Sequence, residues 1–265
     1  MLEERRKTVW ERLTRQERKL EKEQRHLIRD RSEEMAALEE VFDKPTLMTL
    51  YSLINRGIID HMFGAVKSGK EAKIYYALGP NGEELAVKIY LTVTAEFKRG
   101  MLSYIQGDVR FKRVSRDTRK LIYAWAEKEF KNLTLAYEVG VRVPKPYAVK
   151  NNILVVEFIG EDGIPAPLLR EVELENPEEI YFTLLEAVRT LYRKAELVHG
   201  DLSEYNVMLH RGEPVIFDLS QAVLLSHPLA DQLLRRDLAN LNRFFSKLGV
   251  KVKPEEEAYR WVLEG

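Results

Sequence analysis

The spacing of apolar positions changes several times along the chain, and each change marks an element. Residues 1–40 place Leu13, Leu20 and Leu27 seven apart while Glu17 and Gln24 are polar, which is half of a coiled-coil seam on a segment lacking Gly and Pro. That pattern predicts a solvated, ion-paired helix, or a docking arm for a partner. From Asp43 the texture is globular: Thr46–Ile54 has apolar groups at helical spacing, and Arg56-Gly57 ends the helix. Three strand-like runs follow, Ile58–Lys67, Ala72–Leu78 and Glu84–Tyr90, with Pro80-Asn81-Gly82 turning between the last two. Residues 119–138 read as a long amphipathic helix carrying Trp125, Phe130, Leu133 and Leu135. Two further strands lie around Tyr147–Lys150 and Ile153–Ile159, joined at Asn151-Asn152.

After Gly160 the period becomes helical. Asn176-Pro177-Glu178-Glu179 supplies an N-cap, a proline at the first helical position and an acidic first turn. Tyr181, Leu184, Leu185, Val188 and Leu191 then share one apolar face, while Val198–Leu209 and Val215–Leu219 are short apolar stretches broken by polar residues. The order predicts five strands around one helix, then a mostly helical half, with the seam at Gly160–Pro167. It divides the chain into a charged helical segment (1–40), a first lobe (41–159) containing a basic flexible loop over about 94–118, and a second lobe (160–265).

Composition narrows the function classes. Across 265 residues, 42 Lys and Arg balance 42 Asp and Glu, which excludes a uniformly basic nucleic-acid coat and an acidic disordered chain. The absence of cysteine removes disulfides, a thiol nucleophile and Cys-ligated zinc. No apolar run approaches the roughly 18 residues of a membrane span, and the start MLEERRKTVWERL is unlike a signal peptide. A cytoplasmic protein with no membrane partner is the expectation.

The chemistry concentrates in His199-Gly-Asp-Leu-Ser-Glu-Tyr-Asn206, followed twelve residues on by Asp218. Each Asp or Asn alone would pass for turn chemistry. Together, Asp201, Asn206 and Asp218 make an oxygen-rich set without His or Cys ligands, suited to a hard ion such as Mg²⁺. Lys88, amid the apolar residues of Leu85-Ala-Val-Lys-Ile-Tyr90, faces either a solvated edge or a counter-charge. Glu129 and Glu127 on the long helix compete as its partner; Leu133, four residues past Glu129, anchors that face and favours Glu129. A lysine held by a helix glutamate can present its ammonium to phosphate.

Gly64-Ala-Val-Lys-Ser-Gly-Lys-Glu71 nearly matches a Walker phosphate loop, but Glu71 replaces the required hydroxyl and a strand follows instead of a helix. What remains is a short hairpin lid with backbone N–H groups and Ser68 near phosphate. The apolar strand Val155–Ile159 reads alone as core; beside the other motifs it suits an adenine edge.

These residues resemble the protein-kinase-like superfamily, and within it the first RIO subfamily, over roughly 41–250. Ser68–Ala72 looks like the family's nucleotide loop, Leu197–Asn206 its catalytic loop, and Ile216–Gln221 its metal loop; Phe97–Arg113 with Trp125–Glu129 is similar to the first subfamily, and the size fits an archaeal member. The resemblance implies an α+β, two-lobe kinase-like fold: a small β-rich N-lobe with one long helix, a mainly helical C-lobe, a trimmed activation segment and extra N-terminal helices. It also implies roles. Asp201 is the base; Asn206 and Asp218 hold Mg²⁺, with Mn²⁺ as a substitute; Asp218 is a candidate aspartyl-phosphate. ATP then meets Lys88, Ser68, Gly69, Lys70, Glu71, Ala86 and Glu129, with the backbone of Glu157 and Ile159 on adenine.

Ser203 stands where ordinary Ser/Thr kinases carry lysine, Asp218-Leu-Ser replaces Asp-Phe-Gly, and no Ala-Pro-Glu follows. Autophosphorylation or ATP hydrolysis is thus the expected activity, with Ser103 and Ser115 as acceptors. The family's link to small-ribosomal-subunit maturation implies a precursor-subunit partner. Between Glu96 and Lys131, ten basic residues face five acidic ones with aromatics interspersed, either an RNA-contacting surface or a helix surface with buried rings. The reading from another class is a nucleotide-switched assembly scaffold.

Overall fold

A computed structural model describes residues 41–91, 95–111 and 117–264, with side chains from Lys98 onward in the second stretch. The expected coiled-coil helix of residues 1–40, and Ser115, lie outside the described residues. The described residues divide into two units after Met48. The Asp43 carboxylate accepts from the Thr46 N–H at 3.1 Å, capping helix α1, Lys44–Asn55.

Within Thr49–Gly265, five strands form one antiparallel sheet in the order β1-β2-β3-β5-β4. They are β1 (His61–Ser68), β2 (Ala72–Leu78), β3 (Glu84–Tyr90), β4 (Pro146–Lys150) and β5 (Ile153–Glu157). Asn151 adopts φ 51 in the β4–β5 turn, a left-handed conformation that asparagine tolerates, as the Asn-Asn pair predicts. Between β3 and β4 come α2 (Ala95–Ile105) and α3 (Thr118–Glu138). The α3 start is capped by Asp117, whose carboxylate accepts from the Lys120 N–H at 2.9 Å.

The first lobe therefore holds two helices after β3, not one. Eleven of the residues that the sequence reads as flexible loop form α2, because Met101 and Ile105, four apart, bury against Leu121 and Trp125 of α3. The basic count hides this short apolar stripe.

The second half is helical, as its period predicts. Helix α4 (Pro177–Lys194) begins with Asn176, whose Oδ1 accepts from the Glu179 N–H. Two antiparallel pairs follow: β8 (Leu197–Val198) with β11 (Val223–Leu224), and β9 (Val207–His210) with β10 (Glu213–Ile216). A small pair over Gly160–Glu161 and Ile164–Pro165 (β6, β7) sits at the seam. Helices α5 (Ala230–Lys247) and α6 (Glu255–Leu263) close the chain. Leu184, Leu185, Leu197, Leu219, Leu238 and Phe245 share one buried core. That core anchors the two loops between the strand pairs. Among the described residues no helix is long and apolar enough to cross a membrane.

Candidate active site

The segments His199–Asn206 and Phe217–Ala222 run between β8/β9 and β10/β11, and pairing of those strands sets the loops side by side. Phe217 N–H donates to Asn206 O at 3.0 Å. His199 is 2% exposed, and burial lowers its pKa to about 4, so it is neutral at pH 7. Its Nδ1 accepts from the Asp201 N–H at 3.2 Å, so Nε2 carries the hydrogen and donates to Phe217 O at 3.2 Å. Gly200 has φ 78, and a Cβ there would stand 3.1 Å from Gln221 O, so the two loops pass too closely for a side chain.

Asp237 of α5, buried, holds the same loop from below. Its Oδ2 accepts from Gly200 N–H at 2.7 Å and its Oδ1 from Leu202 N–H at 2.9 Å, on either side of Asp201. Burial pushes its pKa up to about 7, partly offset by those two N–H groups. Arg236 donates to Gly200 O, and Asn240 Nδ2 to Leu202 O at 3.0 Å.

The two loop carboxylates have different environments. Asp201 Oδ2 accepts from Asn206 Nδ2 at 3.2 Å and Gln221 Nε2 at 3.3 Å. Burial raises its pKa against the opposing pull of Arg236 and Asn206. Asp218 sits at φ 60, and its Oδ1 accepts from Lys88 Nζ at 3.0 Å and Ser220 Oγ at 2.8 Å. Burial works upward on it, but Lys88 and Ser220 hold the carboxyl below its ordinary range. One carboxylate is thus a better proton acceptor near neutrality, the other a more persistent anion.

Lys88 comes from the middle of the sheet, opposite Ile74 and Leu154. Its Nζ donates to Glu129 Oε1 at 2.9 Å and Oε2 at 3.0 Å, besides Asp218. Burial would lower its pKa, yet Asp218 and Glu129 raise it well above the ordinary lysine value. Tyr90 OH also donates to Glu129, whose own pKa burial raises despite Lys88. Glu127, the competing partner, instead pairs with Lys131 at 2.7 Å on the surface.

The β1–β2 turn places Ser68, Gly69, Lys70 and Glu71 at the exposed rim, closed by Gly69 N–H donating to Ala72 O at 3.0 Å. Burial, then the nearby Asp218 charge, raises the Glu71 pKa, so that carboxyl belongs to the same field as Lys88 and Asp201. Ala86 pairs with Val156 on the sheet. At the seam the Glu157 carboxylate is committed to Arg142 (2.9 and 3.0 Å) and the Lys145 N–H (3.0 Å), and Ile159 O accepts from Ala166 N–H at 2.9 Å.

The donor set fits Mg²⁺. Asn206 spends its amide nitrogen on Asp201 O (2.8 Å) and Oδ2, and among the described residues its Oδ1 and Asp218 Oδ2 take no hydrogen bond. Two hard oxygens without a full cage suit an ion that takes most of its shell from phosphate and water. Among the described residues no cluster of three or more His, Cys, Asp or Glu forms a self-sufficient metal site.

The basic stretch over 96–131 is only partly a surface. Trp125 is 3% and Lys128 0% exposed, so neither can meet RNA, and Arg110 is paired with Asp108 at 2.7 Å. The reading of buried rings holds for Trp125. Sequence reasoning missed Asp237 and the buried Lys128 and Asn132. A signal existed: each is a polar residue at helical spacing on an apolar face, between Leu234 and Leu238 for Asp237, and between Trp125 and Leu133 for the other two.

Residues 73–258 match the RIO domain. The RIO-type serine/threonine-protein kinase Rio1 of Haloferax volcanii is 46% identical over 211 residues, 80% of this chain and 72% of that one. The Rio1 of Methanocaldococcus jannaschii is 43% identical over 243 residues, 92% of this chain and 81% of its own. Serine/threonine-protein kinase RIO1 of Caenorhabditis elegans is 42% identical over 92% of this chain, which spans only 48% of that protein. Among solved structures, the Rio2 kinase of Chaetomium thermophilum, an ADP/Mg²⁺-phosphoaspartate complex, aligns with TM-score 0.61 and 24% identity, covering 81% of this chain and 65% of that one. The likeness shows the two-lobe, kinase-like α+β fold.

Proposed function

This chain belongs to the RIO family of atypical protein kinases, among its Rio1 serine/threonine kinases, and we propose that it uses ATP and Mg²⁺ to phosphorylate itself and to hydrolyse ATP. The observation that carries the reading is Lys88, whose ammonium lies 2.9 Å from a helix glutamate and 3.0 Å from Asp218, joining three separate elements at one point.

In this reading Lys88, held by Glu129, offers its charge to phosphate oxygens. Asn206 and Asp218 hold Mg²⁺, which when bound neutralises charge on the triphosphate. Asp201 takes the proton from the attacking hydroxyl as its oxygen bonds to the γ-phosphorus and the bond to ADP breaks; water replaces the hydroxyl in hydrolysis. The Ser68–Glu71 turn covers the phosphates, and the Glu157–Ile159 backbone meets adenine beside Ala86. Only Leu225–Leu229 separates β11 from α5, too little chain for a peptide-docking platform, which favours self-phosphorylation and hydrolysis over transfer to other proteins. The Asp218 oxygen without a hydrogen bond favours a second route, in which this oxygen bonds to the γ-phosphorus as the bond to ADP breaks, and water then hydrolyses the acyl phosphate to carboxylate and phosphate. The Rio2 neighbour is described with a phosphoaspartate.

Intact-protein mass after incubation with Mg²⁺ and ATP tests both routes. A hydroxylamine-stable gain of one phosphate identifies a serine such as the exposed Ser103, whose Oγ donates to Gly100 O at 2.7 Å. A labile gain identifies Asp218. Neither gain, together with no phosphate release, would remove the reading. Small-subunit maturation in the cytoplasm remains the proposed setting, with precursor rRNA or protein as the partner. Turnover with and without purified small-subunit precursor separates an acting enzyme from a nucleotide-switched scaffold.

A further inference from the structure

Lys128 lies at the interior of the molecule with no exposure, an unusual place for an ammonium group. Among the described residues no carboxylate pairs with it. Its Nζ donates to Ser220 O at 3.0 Å and also to Ala222 O, and it sits 5.5 Å from the Trp125 ring. One turn on, the buried Asn132 repeats the interaction: Nδ2 donates to Leu219 O at 2.8 Å and Ala222 O at 2.9 Å. Two residues of α3 thus hold three successive parts of the backbone immediately after Asp218. This is the backbone that must keep Asp218 at φ 60, a left-handed conformation uncommon for residues other than glycine.

The clamp reaches further. Arg110 Nη2 donates to Asn132 Oδ1 at 2.8 Å, and Asp108, 3% exposed, fixes that guanidinium through Nε at 2.9 Å and Nη2 at 2.7 Å. On the other side, His227 Nε2 and Gln106 O lie 2.9 Å apart. Gly107, at φ 97, packs so closely that a Cβ would stand 3.1 Å from the Pro228 ring. Residues 106–110, which follow α2, are therefore docked on the same chain that follows Asp218. Meanwhile the neighbouring Glu129 holds Lys88, so one turn of α3 sets both Lys88 and the segment after Asp218.

We propose that Lys128 and Asn132 are positioning residues that aim the Asp218 carboxylate, and that the Gln106–Phe111 segment, through Arg110, supports the same arrangement. The inference rests on the reading of Asp218 given above. Remote hydrogen bonds of this kind act on rate more than on nucleotide affinity, because a small misdirection of a reacting or charge-bearing group leaves binding intact and spoils alignment. The polar head also matters beyond shape: Lys128 Nζ donates to two of these carbonyls, and an apolar side chain would leave Ser220 O without that donor.

The test uses the full chain with Lys128→Met, Arg110→Gln, Gly107→Ala and Asp218→Asn, all checked as folded by circular dichroism. Lys128→Met is expected to lower kcat on the order of 10- to 100-fold with KM for ATP nearly unchanged, and to raise the Mg²⁺ concentration for half-maximal rate. Independently of activity, hydrogen exchange in the peptide spanning residues 217–224 should quicken while exchange in β5 stays as in the parent. If Lys128→Met fails to fold, Arg110→Gln and Gly107→Ala carry the test, with smaller losses in the same direction and the same local exchange change. Parent-like kcat, Mg²⁺ dependence and exchange in the folded clamp variants, with Asp218→Asn inactive, would overturn the inference alone. A fully active Asp218→Asn would overturn the underlying reading of the site.

Discussion

Replacing Lys88 with methionine removes the charge shared by Glu129 and Asp218 while keeping most of the volume. The lysine side chain is 14% and the Glu129 side chain 3% exposed, so water compensates poorly. At about 3 Å and an effective dielectric of 20, each carboxylate attracts the ammonium by about 5 kcal/mol, much of it cancelled by the cost of burying the charges. What survives in the variant is an ionised Glu129 with Tyr90 OH as its remaining donor. Breaking one partner of such a pair costs about 3–5 kcal/mol, and the tyrosine puts Lys88→Met near the lower figure, about 3 kcal/mol at pH 8. The loss must depend on pH. Without Lys88 the folded-state pKa of Glu129, already raised by burial, rises further above its unfolded value. A carboxyl raised in this way makes the folded state bind more protons, so stability falls as pH climbs from the unfolded to the folded pKa. The deficit should therefore be smaller at pH 5 than at pH 8. Urea unfolding of the parent, Lys88→Met and Lys88→Met/Glu129→Gln across that range measures it, the double variant recovering much of the loss at pH 8. A deficit independent of pH and untouched by Glu129→Gln would refute the reasoning.

Asp201→Ala should abolish ATP turnover while nucleotide affinity, read by calorimetry, changes only a few-fold; parent-like phosphate release would remove the base assignment. His199, buried and neutral with a pKa lowered from 6.5 to about 4, contributes stability that is complete above pH 6.5 and is lost as pH falls toward 4. That loss is about 3 kcal/mol, visible as a steeper acid limb in thermal melts than in His199→Gln, and equal slopes would contradict it. Asp237→Ala should cost about 2–3 kcal/mol by leaving the Gly200 and Leu202 N–H groups buried without acceptors, and should depress kcat by loosening the loop around Asp201. Unchanged unfolding and kinetics in that variant would show the loop to be held elsewhere.

The sheet was legible because its strands are bounded by strong turn chemistry, Pro80-Asn81-Gly82 and Asn151-Asn152, and because the α3 and α4 stripes repeat at helical spacing. Helix α2 was not, since among its described side chains only Met101 and Ile105 bury deeply, a stripe too narrow to outweigh the basic composition. At the site, Lys88 and Glu129 could be paired from spacing because a strand lysine amid apolar residues needs a counter-charge, and the helix offered two. Asp237, Lys128 and Asn132 escaped for a different reason. Apart from the Arg110 contact of Asn132, their partners are backbone N–H and C=O groups of distant loops, which leave no mark on composition or motif. Only the interruption of an apolar face by a polar residue records them.

The claim on which the account rests is that Lys88, Asp201, Asn206 and Asp218 serve one triphosphate. A crystal structure of this chain with Mg²⁺ and a non-hydrolysable ATP analogue tests it most directly. The account predicts phosphate oxygens on the Lys88 ammonium, the metal between Asn206 and Asp218, and the γ-phosphate facing Asp201. A triphosphate bound away from these four side chains, with Lys88 still closed onto Glu129 and Asp218, would contradict it.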